Sequence, residues 1–121
     1  MVKARVLDRY FRTEMTRDVD AILGLFTPEA VFQTPDRARR GREEIRPFYE
    51  DAVERFPGLK VSITRAFNDG LFEIAEWSAA MNDPEGSELA LDGVNIARTD
   101  AEHMQIVEMR SYYDASAYGS P

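Results

Sequence analysis

The chain has 121 residues, 44% of them hydrophobic, and a formal net charge of −7. That size and apolar content describe one globular domain over residues 1–121, and the acidic balance argues against a nucleic-acid binder, whose affinity rests on neutralising phosphates. No apolar run approaches the roughly 20 residues of a membrane span, and the absence of cysteine removes disulfides and thiolate chemistry together.

Met1 leads into "VKARVLDRYF", which lacks the apolar core and cleavage site of a signal peptide, so the expected compartment is the cytoplasm. Val2, Val6, Leu7, Tyr10, Phe11 and Met15 fall on one face of a first helix. Asp18 can cap a second helix carrying Val19, Ile22, Leu23, Leu25 and Phe26, and Pro28 ends it. "AVFQ" follows as a short strand and "TPDRARRG" as a loop. A third helix runs from Arg42 with Ile45, Phe48, Tyr49, Ala52, Val53 and Phe56 at helical spacing, and Pro57-Gly58 stops it.

The period then changes to two. "LKVSITRAF", "LFEIAEWSAAM", "ELALDGVNIAR" and "MQIVEMRSYYD" read as four strands joined by the turns "NDG", "NDPEGS" and "TDAEH". Three helices with one short strand, then four antiparallel strands, make an α+β domain with the helices on one face of a curved sheet. Such a sheet and its helices enclose a cone, and polar residues on the inward face turn that cone into a pocket.

Two charged features stand apart. "DRARRGR", residues 36–42, holds four arginines, to be read as a solvated loop cluster or as an anion contact at a pocket mouth. His103 is the one histidine; in a turn it is expected to be exposed, and alone it cannot build a histidine metal site.

"VLDRYF", "DVDAILGLFTPEAVFQTP", "GREEIRPFYEDAVERFPGLKV" and "GVNIAR…IVEMRSYYD" resemble the SnoaL-like polyketide cyclases, within the superfamily of ketosteroid isomerase, limonene epoxide hydrolase and nuclear transport factor 2. The resemblance spans roughly residues 3–116. It implies helices packed on a strongly bent antiparallel or mixed sheet, a deep apolar pocket, a homodimer through the outer sheet face, and chemistry without metal or cofactor. It does not by itself imply one reaction, because this fold hosts several.

The resemblance also implies roles. Arg9-Tyr10 matches the "RY" setting of the helix-one tyrosine of ketosteroid isomerases. Thr34, before Pro35, stands where those enzymes carry an aspartate base, and Asn95 where they carry a second acid that donates a hydrogen bond. An amide donates one without an unusual pKa. The arginine and aspartate of limonene epoxide hydrolases correspond to Glu76 and Ser78, and a further aspartate to Ser111. The scaffold matches while the known catalytic sets do not.

With Asn95 facing the cone, strand alternation sends Gly93 and Ala97 inward beside it and leaves room for a ligand. The same alternation points Val107, Met109, Ser111 and Tyr113 inward from the last strand, and Phe72, Ile74, Glu76 and Ser78 from "LFEIAEWSA". Glu76 is then the inner carboxylate and the candidate acid or base, with Tyr10 and Asn95 polarising a carbonyl or hydroxyl. Thr34, Phe32, Phe48, Phe72, Ser78, Met109, Ser111 and Tyr113 are the candidate ligand contacts. A slip of one residue would exchange the faces, turning Glu76 outward and Trp77 in. Tyr10 can equally be a core tyrosine, Asn95 a tie between backbone groups at a sheet bend, and Asp114 a strand-end cap or dimer contact.

Two functions follow. One is binding of a hydrophobic oxygenated small molecule by a cofactor-independent isomerase, cyclase or dehydratase. The other is a non-catalytic ligand-binding or dimerisation module of the same fold.

Overall fold

The computed structural model describes residues 3–102 and 104–118. Its elements in chain order are α1 (Arg5–Met15), α2 (Val19–Leu23), β1 (Phe26–Gln33), β2 (Ala38–Arg40), α3 (Gly41–Arg55), β3 (Gly58–Asn68), β4 (Phe72–Asn82), β5 (Glu88–Thr99), β6 (Ile106–Tyr113) and α4 (Ala115–Tyr118). The strands form one six-stranded, curved and unclosed sheet in the order β2-β1-β6-β5-β4-β3. β1 pairs with β6 in parallel and every other pairing is antiparallel, so the sheet is mixed. Helices α1 and α3 lie against its inner face, α1 on β3 and β4, α3 on β1.

The sequence signals account for most of these elements. Asp18 Oδ1 accepts from the Ala21 amide at 3.1 Å, capping α2 as expected. The second helix stops at Leu23, three positions short of the end of the apolar pattern, and the chain passes through Pro28 as strand β1. That strand has a register irregularity between Phe26 and Val31, which accommodates the proline. The expected loop "TPDRARRG" contains the short strand β2, which turns Arg39 into the protein. Val2 and His103 fall outside the described residues.

One expectation about faces is reversed. In β4 the buried residues are Glu73, Ala75, Trp77, Ala79 and Met81. Phe72, Ile74, Glu76 and Ser78 therefore occupy the outer face. "LFEIAEWSAAM" is apolar at both parities, and Trp77, with the largest ring, takes the interior. Glu73 is tolerated inside because its carboxylate has work there. Its two oxygens accept from the Val6 amide at 3.2 Å and the Leu7 amide at 2.9 Å. These are orphan donors of the first turn of α1, whose own N-cap, Ala4, supplies no side-chain acceptor. A strand residue thus caps a helix 66 positions away in sequence and pins α1 to the sheet.

Gly93 does not leave ligand space. A Cβ there would meet Trp77 Cζ2 at 2.2 Å, so the indole lies directly over the glycine. The core is one cluster in which Tyr10, Phe26, Phe32 and Tyr49 interlock, Phe32 and Tyr49 stacking with centroids 5.7 Å apart.

Candidate functional site

Between α1, α3 and the inner sheet face lies a cavity of about 70 Å³. Most of its wall is apolar: Phe11, Phe32, Phe48, Ala52, Leu59, Val61, Ala79, Met81 and Leu91, with the ring of Trp77. The polar groups are Tyr10, Glu14 and Arg17 from α1 and its end, Asn95 from β5, and Ser111 and Tyr113 from β6.

Glu14 is the carboxyl of this wall. It stands one helical turn beyond Tyr10, so both side chains project from the same face of α1. Burial raises its pKa from 4.5 to about 7, against the opposing pull of the Arg17 charge and a hydrogen bond from Tyr10. The Tyr10 hydroxyl also meets the Tyr49 hydroxyl at 2.5 Å. An ionised carboxylate can only accept, so Tyr10 donates to Glu14 and Tyr49 donates to Tyr10. Both phenols are buried, and burial first, then the Glu14 charge, holds them well above the usual tyrosine range. They are neutral donors and Glu14 is the group that titrates.

Asn95 is 2% exposed and its amide orientation is set by chemistry. An indole N–H can only donate, so the atom 3.0 Å from Trp77 Nε1 is the oxygen Oδ1. The same oxygen accepts from Ser111 Oγ at 2.8 Å. Nδ2 donates to Met109 Sδ at 3.4 Å, and its second N–H has no partner among the described residues. Asn95 therefore ties β4, β5 and β6 together through side chains and keeps one donor at the cavity wall.

The other expected contacts divide. Phe32, Phe48, Ser111 and Tyr113 line the cavity. Met109 is buried behind Asn95. Thr34 is not on the wall: its hydroxyl donates to Asp36 Oδ1 at 2.5 Å and accepts from Arg39 Nη1 at 2.9 Å, organising the β1–β2 turn. Phe72 and Ser78 stand on the outer face, where Ser78 Oγ donates to Asp92 Oδ1 at 2.7 Å. Glu76 is there too, held by Arg65 through Nε at 2.9 Å and Nη2 at 3.0 Å. That bidentate hydrogen bond pulls its pKa down, the reverse of the desolvated base expected from the sequence. Asp114 accepts from the Ser116 amide and hydroxyl just past the end of β6, as a strand-end cap.

The arginine cluster divides: Arg37 and Arg40 are exposed, while Arg39 and Arg42 have structural contacts. Arg39 stacks on Phe48, 4.9 Å from the ring centroid, and Arg42 donates to the Phe26 carbonyl at 2.6 Å. Helical periodicity alone does not single out Glu14, and it places Tyr49 on the third helix as a packing residue without a polar role. The signal for Glu14 is its spacing, four residues after Tyr10 on the apolar face of α1. Among the described residues, no group of three or more His, Cys, Asp or Glu could hold a metal ion.

A family profile described as the SnoaL-like domain matches residues 7–109. The chain belongs to this family. Its fold is shared by solved structures of low sequence identity. One is a protein of ketosteroid isomerase-like fold from Catenulispora acidiphila in complex with trimethylamine, 17% identical, with a TM-score of 0.85 over 99% of this chain and 100% of that one. SalBIII, an epoxide hydrolase/cyclase-like enzyme of pyran ring formation in the polyether salinomycin, is 22% identical, with a TM-score of 0.80 over 95% of this SnoaL-like chain and 92% of its own. TerC, co-crystallised with polyporic acid, is 15% identical, with a TM-score of 0.79 over 94% and 92% of the two chains. No curated protein matches the sequence. These neighbours share an architecture and differ in what they are described as doing. No helix among the described residues is long and apolar enough to cross a membrane.

Proposed function

We propose that this SnoaL-like protein binds a small hydrophobic oxygenated molecule in the cone and moves a proton on it, in an isomerisation, cyclisation or dehydration driven by side chains. The observation that carries this reading is Glu14: a carboxyl on an apolar cavity wall, hydrogen-bonded by Tyr10, with a pKa of about 7. A base is most useful when its pKa lies near the working pH, since it is then both partly ionised and willing to accept. Tyr10 orients the carboxylate, and the free N–H of Asn95 can donate to a ligand carbonyl as negative charge develops. The ligands of the solved neighbours, trimethylamine and polyporic acid, support small-molecule binding by this fold.

Deuterium uptake tests it. Isopropyl methyl ketone in heavy water should exchange its α-protons faster with the protein than without it, and Glu14→Gln should abolish the increment. Exchange that survives in Glu14→Gln would sink the assignment.

One observation favours the alternative of a non-catalytic binder. The cavity, at about 70 Å³, is well below the roughly 300–1,000 Å³ of most small-molecule sites. Under that reading a probe binds and nothing exchanges. In either case the outer sheet face supports a homodimer, because Phe72, Ile74, Val94, Ile96 and Tyr112 form an apolar stripe bordered by the Arg65–Glu76 and Arg98–Glu108 pairs. Light scattering that gives 13.8 kDa at tens of micromolar would remove the dimer.

A further inference from the structure

Arg17 is the one basic residue on the cavity wall among the described residues, and it is poorly satisfied. Its Nη1 donates to the Glu14 carbonyl at 3.3 Å, while its Nε is shielded from solvent with no hydrogen-bond partner among the described residues. No ion pair to Arg17 occurs among the described residues within 4.0 Å. A shielded Nε–H without an acceptor is costly, because it has lost its hydrogen bond to water and nothing among the described residues replaces it. The charge facing the guanidinium is Glu14, and burial drives that carboxyl toward its neutral form. The backbone adds a second observation. Arg17 follows the last turn of α1 with φ of +60°, a left-handed conformation that glycine or asparagine adopts more easily. Helix termination alone does not ask for arginine at this position.

We propose that Arg17 is the recognition group of the cavity and that its ligand is a small apolar molecule bearing a carboxylate beside the carbonyl or hydroxyl on which the proton moves. This rests on the reading of the cavity as a small-molecule site and adds the substrate's charge to it. A carboxylate oxygen supplies the acceptor that Nε lacks and a full negative charge beside the guanidinium, where Glu14 is only partly ionised. The cavity of about 70 Å³ limits the apolar part to a few carbon atoms, since a void of about 150 Å³ is what a benzene ring fills. The charged and titratable groups facing Glu14 are Arg17 beyond its own helix end, Tyr10 on α1 and Tyr49 on α3, while Tyr113 on β6 shares the cavity wall and faces the two phenols. When a carboxylate engages Arg17, Glu14 loses its compensating charge and faces a second anion. Binding is therefore linked to proton uptake at Glu14 and weakens as pH rises through about 7.

Three isosteric probes differing only in charge decide the matter: isobutyrate, isobutyramide and isobutyramidinium, titrated against the wild-type protein by NMR. The expected order is isobutyrate tightest, by about tenfold or more over the amide, with the amidinium weakest. Arg17→Gly, which suits the left-handed backbone, should stay folded and bind isobutyrate no more tightly than isobutyramide. Arg17→Lys should retain part of the preference for isobutyrate. Equal binding of the amide and the carboxylate, tightest binding of the amidinium, or a preference that survives in Arg17→Gly would each overturn the proposal while leaving a small-molecule site in place. If none of the three binds, the small-molecule reading falls and this inference falls with it.

Discussion

The Tyr49 hydroxyl donates to the Tyr10 hydroxyl at 2.5 Å, and Tyr10 in turn donates to Glu14. Two phenols from helices 39 positions apart in sequence thus point one chain of protons at the carboxyl of an apolar cavity. The arrangement makes Tyr10 a positioning residue for Glu14 and Tyr49 a positioning residue for Tyr10. Removing the Tyr10 bond withdraws a donor from the ionised carboxylate. Tyr10→Phe should therefore move the Glu14 titration to higher pH, as a carboxyl resonance shift would show. Tyr49→Phe should cost about 1 kcal/mol of unfolding free energy in a urea titration, the net worth of a buried hydrogen bond.

Glu14 also links stability to pH. Its folded pKa, about 7, lies above the ordinary 4.5, so the folded state favours the protonated form. The stability this carboxyl contributes is full below pH 4.5 and is lost as pH rises to about 7. The loss is of order 1–3 kcal/mol. Glu14→Gln should abolish this dependence and be the more stable protein above pH 7, though inactive in proton exchange. Urea midpoints of both proteins across this range check it.

Gly93 is where the sheet beneath the Trp77 ring is least forgiving. A methyl group there meets the Trp77 ring at 2.2 Å and, on the other side, the Tyr112 carbonyl at 2.6 Å. Gly93→Ala should destabilise the fold by about 1–3 kcal/mol, the usual range for overpacking. It should also displace the indole from Asn95 and shift the fluorescence of the chain's one tryptophan.

Glu73 gives a contrasting case, a buried carboxylate with a purely structural task. Glu73→Ala strands the Val6 and Leu7 amides at the start of α1 and should cost about 1–3 kcal/mol. Hydrogen exchange of those two amides should accelerate, while probe binding in the cavity persists in the folded fraction. Glu76→Gln, by comparison, alters an exposed pair on the outer face and should leave exchange activity intact.

The architecture was legible because its signals are local. The 3.6 and 2.0 periodicities, the Asp18 cap and the Gly-rich turns each act over a few residues, and the family motifs placed them in order. Asn95 and Tyr10 are buried polar groups on the faces that the strand and helix periods give them. Which face of β4 is inside was not legible, because Phe72 and Ile74 compete with Ala75, Trp77 and Met81 at opposite parity. The contest is settled by tertiary contacts: Gly93 opening a seat for the indole, and Glu73 finding the start of α1. That reversal moved Glu76 out of the cavity. Glu14 was hidden for another reason. A glutamate on an apolar helix face reads as the edge of a solvated surface unless the partner helix is known to bring a tyrosine pair against it.

The most direct test is a carbon-13 NMR titration of the Glu14 carboxyl, assigned by its disappearance in Glu14→Gln. The account predicts a midpoint near 7, from burial on the cavity wall against the pull of Arg17 and Tyr10. A midpoint at the ordinary 4.5 would show a carboxyl open to water and would contradict the site.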